Sequence, residues 1–195
     1  RTFKQEDRFI FVQQNGVKCI VLLQNTYRLH QIKRLNEIMF LGDNRSKVTG
    51  SRGVGKSHLL ALFVFYSRIN ILHDYPKRRI LYINDPALYY QNFSKIKYDI
   101  AYFMANDYLE NEKLRQKLEN SMVLGLVKPV SAFMYDLIKY YIKENIRFDM
   151  VIDQFNKLES YKDKDIKVYT FFIDLIKIFG MNVVLSASND NQTLR

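Results

Sequence analysis

Only seven glycines occur in the 195 residues, and three of them, Gly50, Gly53 and Gly55, fall within six positions. Glycine lets a chain turn through left-handed conformations without a steric penalty, so the cluster marks a bend that other residues could not make. What flanks the bend limits the architecture. Ser46 to Thr49 reads as a short strand before it, and Ser57 to Arg68 after it is apolar nearly all round, as a buried helix is. A strand, a tight bend and a buried helix open a parallel sheet with crossover helices.

Downstream the pattern repeats. Arg79 to Asn84, through Ile80, Leu81, Tyr82 and Ile83, reads as a buried strand that ends in Asn84-Asp85 before Pro86. Ile96 to Leu109 and Lys113 to Leu118 are helix-compatible, and Phe133, Met134, Leu137, Ile138, Tyr141 and Ile142 form a three-four stripe. Phe148 to Ile152 is a strand ending at Asp153, Ile166 to Phe179 an apolar helix stopped by Gly180, and Met181 to Leu185 a strand running into Ser186. Upstream, Phe9 to Val12 and Lys18 to Leu23 read as short strands or a hairpin around the turn dipeptide Asn15-Gly16. Arg28 to Phe40 places Ile32, Leu35, Ile38 and Met39 on one helical face, with Gly42 to end it.

The bend itself carries chemistry. Gly50-Ser51-Arg52-Gly53-Val54-Gly55-Lys56-Ser57 fits the P-loop pattern of Gly, four residues, Gly, Lys, then Ser or Thr, between strand and helix. Backbone N–H groups turned inward by such a loop make a concave anion site, and the following helix adds its positive end. Lys56 would reach the outer phosphates as a point charge, and the Ser57 hydroxyl would be a ligand of Mg²⁺. The expected fold is therefore α/β: a three-layer P-loop NTPase fold with a mostly parallel sheet. Residues 46–195 would form its core, incomplete at the C-terminal end, behind an N-terminal leader of short strands and a helix over 1–45.

A magnesium nucleotide site also needs a carboxylate at the tip of a nearby strand. Asp153, after Met150-Val151-Ile152, is the candidate, although an Asp in that position is also an ordinary strand end. Asp149 interrupts the same strand and either faces away from Met150 or starts the strand. Gln154 follows where many ATPases have Glu. An amide cannot act as a general base but can orient water, so slow hydrolysis or nucleotide-gated switching is expected. The catalytic candidates are Lys56, Asp153 and Gln154, the metal ligands Ser57 and Asp153. Ser186, Ser188 and Asn189 reach the same sheet end, as phosphate contacts or as plain turn residues. Asn156-Lys157-Leu158-Glu159 only faintly echoes a guanine-reading motif and implies no base preference.

Thirty Lys and Arg against 20 Asp and Glu give a net charge of +10, which fits an anionic partner. Two alternatives remain open: a basic nucleic-acid-binding module whose P-loop holds a phosphate, and a small-molecule phosphotransferase. Lys77-Arg78-Arg79, Lys95 and Lys97, Lys113-Arg115-Lys117, and Lys162, Lys164 and Lys167 read as solvated faces. No apolar run reaches the ~18 residues of a membrane span. Cys19 is alone, and His30, His58 and His73 show no metal or triad spacing. A chain that starts at Arg1 with no leader is expected to be a fragment.

Val48 through Leu60, with Met150-Val151-Ile152-Asp153-Gln154-Phe155-Asn156 and Ser186-Ala187-Ser188-Asn189, resembles the NTPase module of Crinkler effectors. Similar modules occur in retrotransposon hot spot proteins, and both are similar to AAA+ and STAND-type ATPases. The resemblance implies ATP and Mg²⁺ as ligands, with an Asp-Gln pair as the family's usual form. It also implies a further core strand and a helical lid after Asn189, a fused nuclease-like domain in the full-length protein, and a secreted effector acting inside host cells, including the nucleus.

Overall fold

The computed structural model describes residues 9–14, 17–22, 30–35, 37, 46–49, 55–73, 77–123, 125–180 and 182–187. Four strands, β3 (Ser46–Val48), β4 (Arg78–Ile83), β5 (Arg147–Ile152) and β6 (Val183–Ser186), form an all-parallel sheet in the order β3-β6-β5-β4. The chain leaves β3 at one edge, crosses through α2 (Lys56–His73) to β4 at the other, and steps back inward through β5 and β6. Right-handed crossovers in opposite directions put their helices on opposite faces.

The two cores follow that rule. On one face, Leu59, Leu60, Leu62, Phe63 and Val64 of α2, with Ile32 and Leu35 of the helical stretch α1 (residues 30–35), pack on Ile80, Val151 and Val184. On the other, Leu81, Ile83, Met150, Ile152 and Val183 meet the larger helical layer. Neighbouring residues along each strand therefore serve opposite cores, as a pleated strand requires. The α/β class and the parallel sheet expected from the pattern are present. Upstream, β1 (Phe9–Gln14) and β2 (Val17–Leu22) pair antiparallel with Gln14 opposite Val17. Asn15-Gly16, Ile38, Met39 and Gly42 lie outside the described residues.

The larger layer contains α3 (Leu88–Gln91), a 3-10 turn (Phe93–Lys95), α4 (Ile96–Phe103), α5 (Ala105–Glu110), α6 (Glu112–Met122), α7 (Val127–Lys143), α8 (Phe155–Ser160) and α9 (Ile166–Phe179). Local chemistry sets several of their ends. The Asp165 side chain accepts from Lys167 N and Val168 N to start α9, and Gly180, at φ 61°, ends it. Between these limits Val168, Phe171, Phe172, Leu175, Ile176 and Phe179 are buried. The Asn111 side chain caps α6 through Leu114 N.

Two sequence expectations need correction. Ile96 to Leu109 is not one helix: the chain breaks at fully buried Met104, and the redirected α5 carries Asp107 to Arg79 at the start of β4. Nor are Arg78 and Arg79 solvated. They are 2% and 8% exposed, because Arg78 Nε pairs with Asp149 at 2.5 Å and Arg79 Nε with Asp107 at 2.7 Å. Lys77 alone of that run is exposed.

Candidate functional site at the carboxyl edge of the sheet

In open parallel sheets ligands collect beyond the carboxyl ends of the strands, where successive connections depart to opposite faces. Here the connection after β3 departs to the α2 face and the one after β5 to the face of the larger helical layer, on either side of the β6 tip. Val48 is level with Ser186, and Ala187 N donates to Val48 O at 3.1 Å, which ties the two strand tips together. Gly50, Ser51, Arg52, Gly53 and Val54 lie outside the described residues, as do Ser188 and Asn189. The end of the glycine segment is described: Gly55 has φ 83°, a left-handed geometry in which a side chain would be strained. Its carbonyl accepts from Leu59 N at 2.9 Å, so the bend passes straight into the first turn of α2. Lys56 and Ser57 occupy that turn, half-buried and exposed respectively.

Asp153 follows the last residue of β5, and its N–H continues the ladder to Ile83 O at 2.8 Å. It is 2% exposed. Its Oδ1 accepts the Ser186 hydroxyl and the Gln154 N–H, the latter at 2.9 Å. Its Oδ2 has no donor among the described residues, and no Lys or Arg there lies within ion-pairing distance. Half-buried Tyr82 is close by. Burial, and then the negative charge of Asp153, push its phenol above the usual tyrosine range, so the hydroxyl keeps its proton.

Gln154 adopts φ 55°, ψ 39° as the residue before α8. A left-handed non-glycine residue costs about 1–3 kcal/mol and persists only where its surroundings hold it. The holding contacts are visible. Gln154 N donates to both Asp153 Oδ1 and, at 3.2 Å, Ser186 Oγ, while its Nε2 donates to Asn84 O at 3.4 Å. Its amide is therefore turned toward β4, away from β3. Next to it Lys157 Nζ pairs with Asp85 at 2.7 Å, and Asp85 Oδ1 accepts from Ala87 N at 3.0 Å.

Sequence reasoning placed Ser186 at this edge as a phosphate contact or a turn residue. Ser186 is instead 1% exposed, and its hydroxyl is spent on Asp153. Asn84, Asp85, Tyr82 and Lys157 were missed as neighbours of the site. Their one visible signal was that Asn84-Asp85 follows an apolar strand as Asp153-Gln154 does. Among the described residues no group of three His, Cys, Asp or Glu side chains gathers, and no helix is long and apolar enough to cross a membrane. In comparisons with known proteins, no family model and no curated protein matches the chain.

Proposed function

We propose that the chain is a P-loop domain that binds Mg²⁺-ATP and either hydrolyses it slowly or uses it as a switch, as a Crinkler-type NTPase module would. One observation carries this reading. β3, which leads into Gly50–Ser57, and β5, which leads into Asp153, are separated by one strand, β6, whose terminal Ser186 holds the Asp153 carboxylate. Strands lie about 4.8 Å apart, so the start of α2 and the carboxylate share one edge within the span of a nucleotide's phosphates.

The donors fit the metal. Mg²⁺ keeps several waters and needs only one or two carboxylates beside phosphate oxygens, so Asp153 Oδ2 and the exposed Ser57 hydroxyl suit it. Bound there, it would neutralise phosphate charge. Lys56 would bind the outer phosphates, and the Gly55 bend would aim the N–H groups of α2 at them. The nucleic-acid alternative loses support because Arg78 and Arg79 are spent on internal ion pairs.

A ligand at a hundred times its dissociation constant stabilises a fold by about 2.7 kcal/mol. Saturating Mg²⁺-ATP should accordingly raise the Tm of wild type and leave Lys56→Ala unmoved. The same response in both, or none in either, contradicts the reading. Gln154→Glu removes the donor that turns side chain 154 toward Asn84 O and supplies a base, so hydrolysis should rise; an unchanged rate means that position 154 does not face the attacking water.

A further inference from the structure

A second hollow lies at the opposite, amino end of the sheet, roughly 20 Å from the carboxyl edge at about 3.3 Å per strand residue. It is a cavity of ≈ 200 Å³ between α2, the first residues of β4 and the α4–α5 junction. Arg68, Tyr102, Phe103, Ala105 and Asn106 line it, together with Arg78 to Ile80. Lys77 O and Ile83 O accept from β5, at Arg147 N and Asp153 N, so the alternate carbonyls of Arg78 and Ile80 face the unpaired edge of the sheet. Guanidinium groups take their place in the ladder: Arg79 Nη1 donates to Arg78 O at 2.9 Å, and Arg68 Nη2 to Ile80 O at 3.2 Å.

The three arginines differ in one respect. Arg78 and Arg79 are paired with Asp149 and Asp107. Arg68 is half-buried, stacks over the Tyr102 ring at 4.0 Å, and has no carboxylate within ion-pairing distance among the described residues. Asp99 acts on it only from longer range, and that carboxylate accepts the Tyr89 hydroxyl. Burial pulls the guanidinium below the usual arginine range, the sign of a desolvated cation short of compensation. A guanidinium offers five N–H donors; the Ile80 carbonyl takes one and the Tyr102 side chain another, which leaves a pair for a carboxylate.

We propose that this hollow binds a small carboxylate, with its carboxyl group on Arg68 and a ring or short branched chain against Phe103 and Ala105. The size sets the class. Drug-sized sites run to about 300–1,000 Å³, whereas a cavity of about 150 Å³ already accepts benzene, so the ligand is a one-ring or amino-acid-sized acid. One unmatched cation suits a monoanion better than a phosphate dianion. The site is independent of the nucleotide reading.

Benzoate is the probe and benzamide its neutral control, titrated into the 195-residue chain and followed by protein NMR. Benzoate should bind, and benzamide and inorganic phosphate should bind at least about tenfold more weakly. Arg68→Gln, which keeps a donor for Ile80 O, should weaken benzoate by a similar factor. Ala105→Phe, at an exposed position, should fill the hollow and abolish binding with the Tm unchanged. Lys56→Ala should bind benzoate as wild type does. The proposal is overturned if benzoate does not bind wild type up to its solubility, if benzamide binds equally well, if Ala105→Phe folds and still binds, or if Lys56→Ala costs as much as Arg68→Gln.

Discussion

Asp149 and Asp153 stand four residues apart along β5 and its tip, on the same face by alternation, and are 0% and 2% exposed. Their partners differ. Asp149 is held between Arg78 Nε at 2.5 Å and Arg147 Nε at 3.3 Å, so its charge is matched inside the protein. Asp153 is held by a hydroxyl and a backbone N–H, neutral donors that orient a carboxylate without cancelling its charge. A buried charge without a counterion is costly. The comparison therefore separates a carboxylate used for structure at the amino end of β5 from one at the carboxyl end whose charge no described residue matches, the place the proposed Mg²⁺ would fill.

The largest way to break this comparison is Asp149→Asn. Removing one partner of a buried pair strands the other, so the variant should lose about 3–5 kcal/mol in urea unfolding. Asp153→Asn, which keeps an acceptor for Ser186 and removes an uncompensated charge, should stay within about 1 kcal/mol of wild type. Equal losses would erase the distinction. Next comes Ser186→Ala, which takes one of two donors from Asp153 Oδ1; it should cost about 0.5–1.5 kcal/mol and weaken Mg²⁺-ATP binding. Normal binding would show that Ser186 does not position Asp153.

Asp99 gives the smallest effect and a middle case. Its carboxyl accepts a neutral donor, the Tyr89 hydroxyl, and burial raises its pKa against that bond and the more distant Arg68 charge. Because the fold favours the protonated acid, wild-type stability relative to Asp99→Asn should be highest below the ordinary carboxylate range and fall as pH rises through the raised value. Urea unfolding of both proteins between about pH 4 and 7 measures this. A difference that grows with pH would show that Arg68 outweighs burial at Asp99.

The sequence pattern anticipated the parallel strands because apolar runs bounded by polar pairs need only local information. The α9 boundaries were legible for the same reason, in the Ile166–Phe179 stripe and Gly180. Arg78 and Arg79 were not, since nothing near them in the chain announces burial. Their carboxylates lie 71 and 28 residues away and meet them only after β4 pairs with β5 and α5 turns inward. At the candidate site, Asp153 was named from its place after three apolar residues, and the structure puts it at the tip of β5. The Ser186 contact was hidden because it spans 33 residues, and the left-handed Gln154 because sequence rules expect glycine there.

The account depends on Asp153 serving a metal-bound nucleotide, and the most direct measurement is ATP affinity with and without Mg²⁺ for wild type and Asp153→Asn. Mg²⁺ should tighten ATP binding to wild type by about tenfold or more and leave the variant near its metal-free affinity. An equal gain from Mg²⁺ in the two proteins would contradict it.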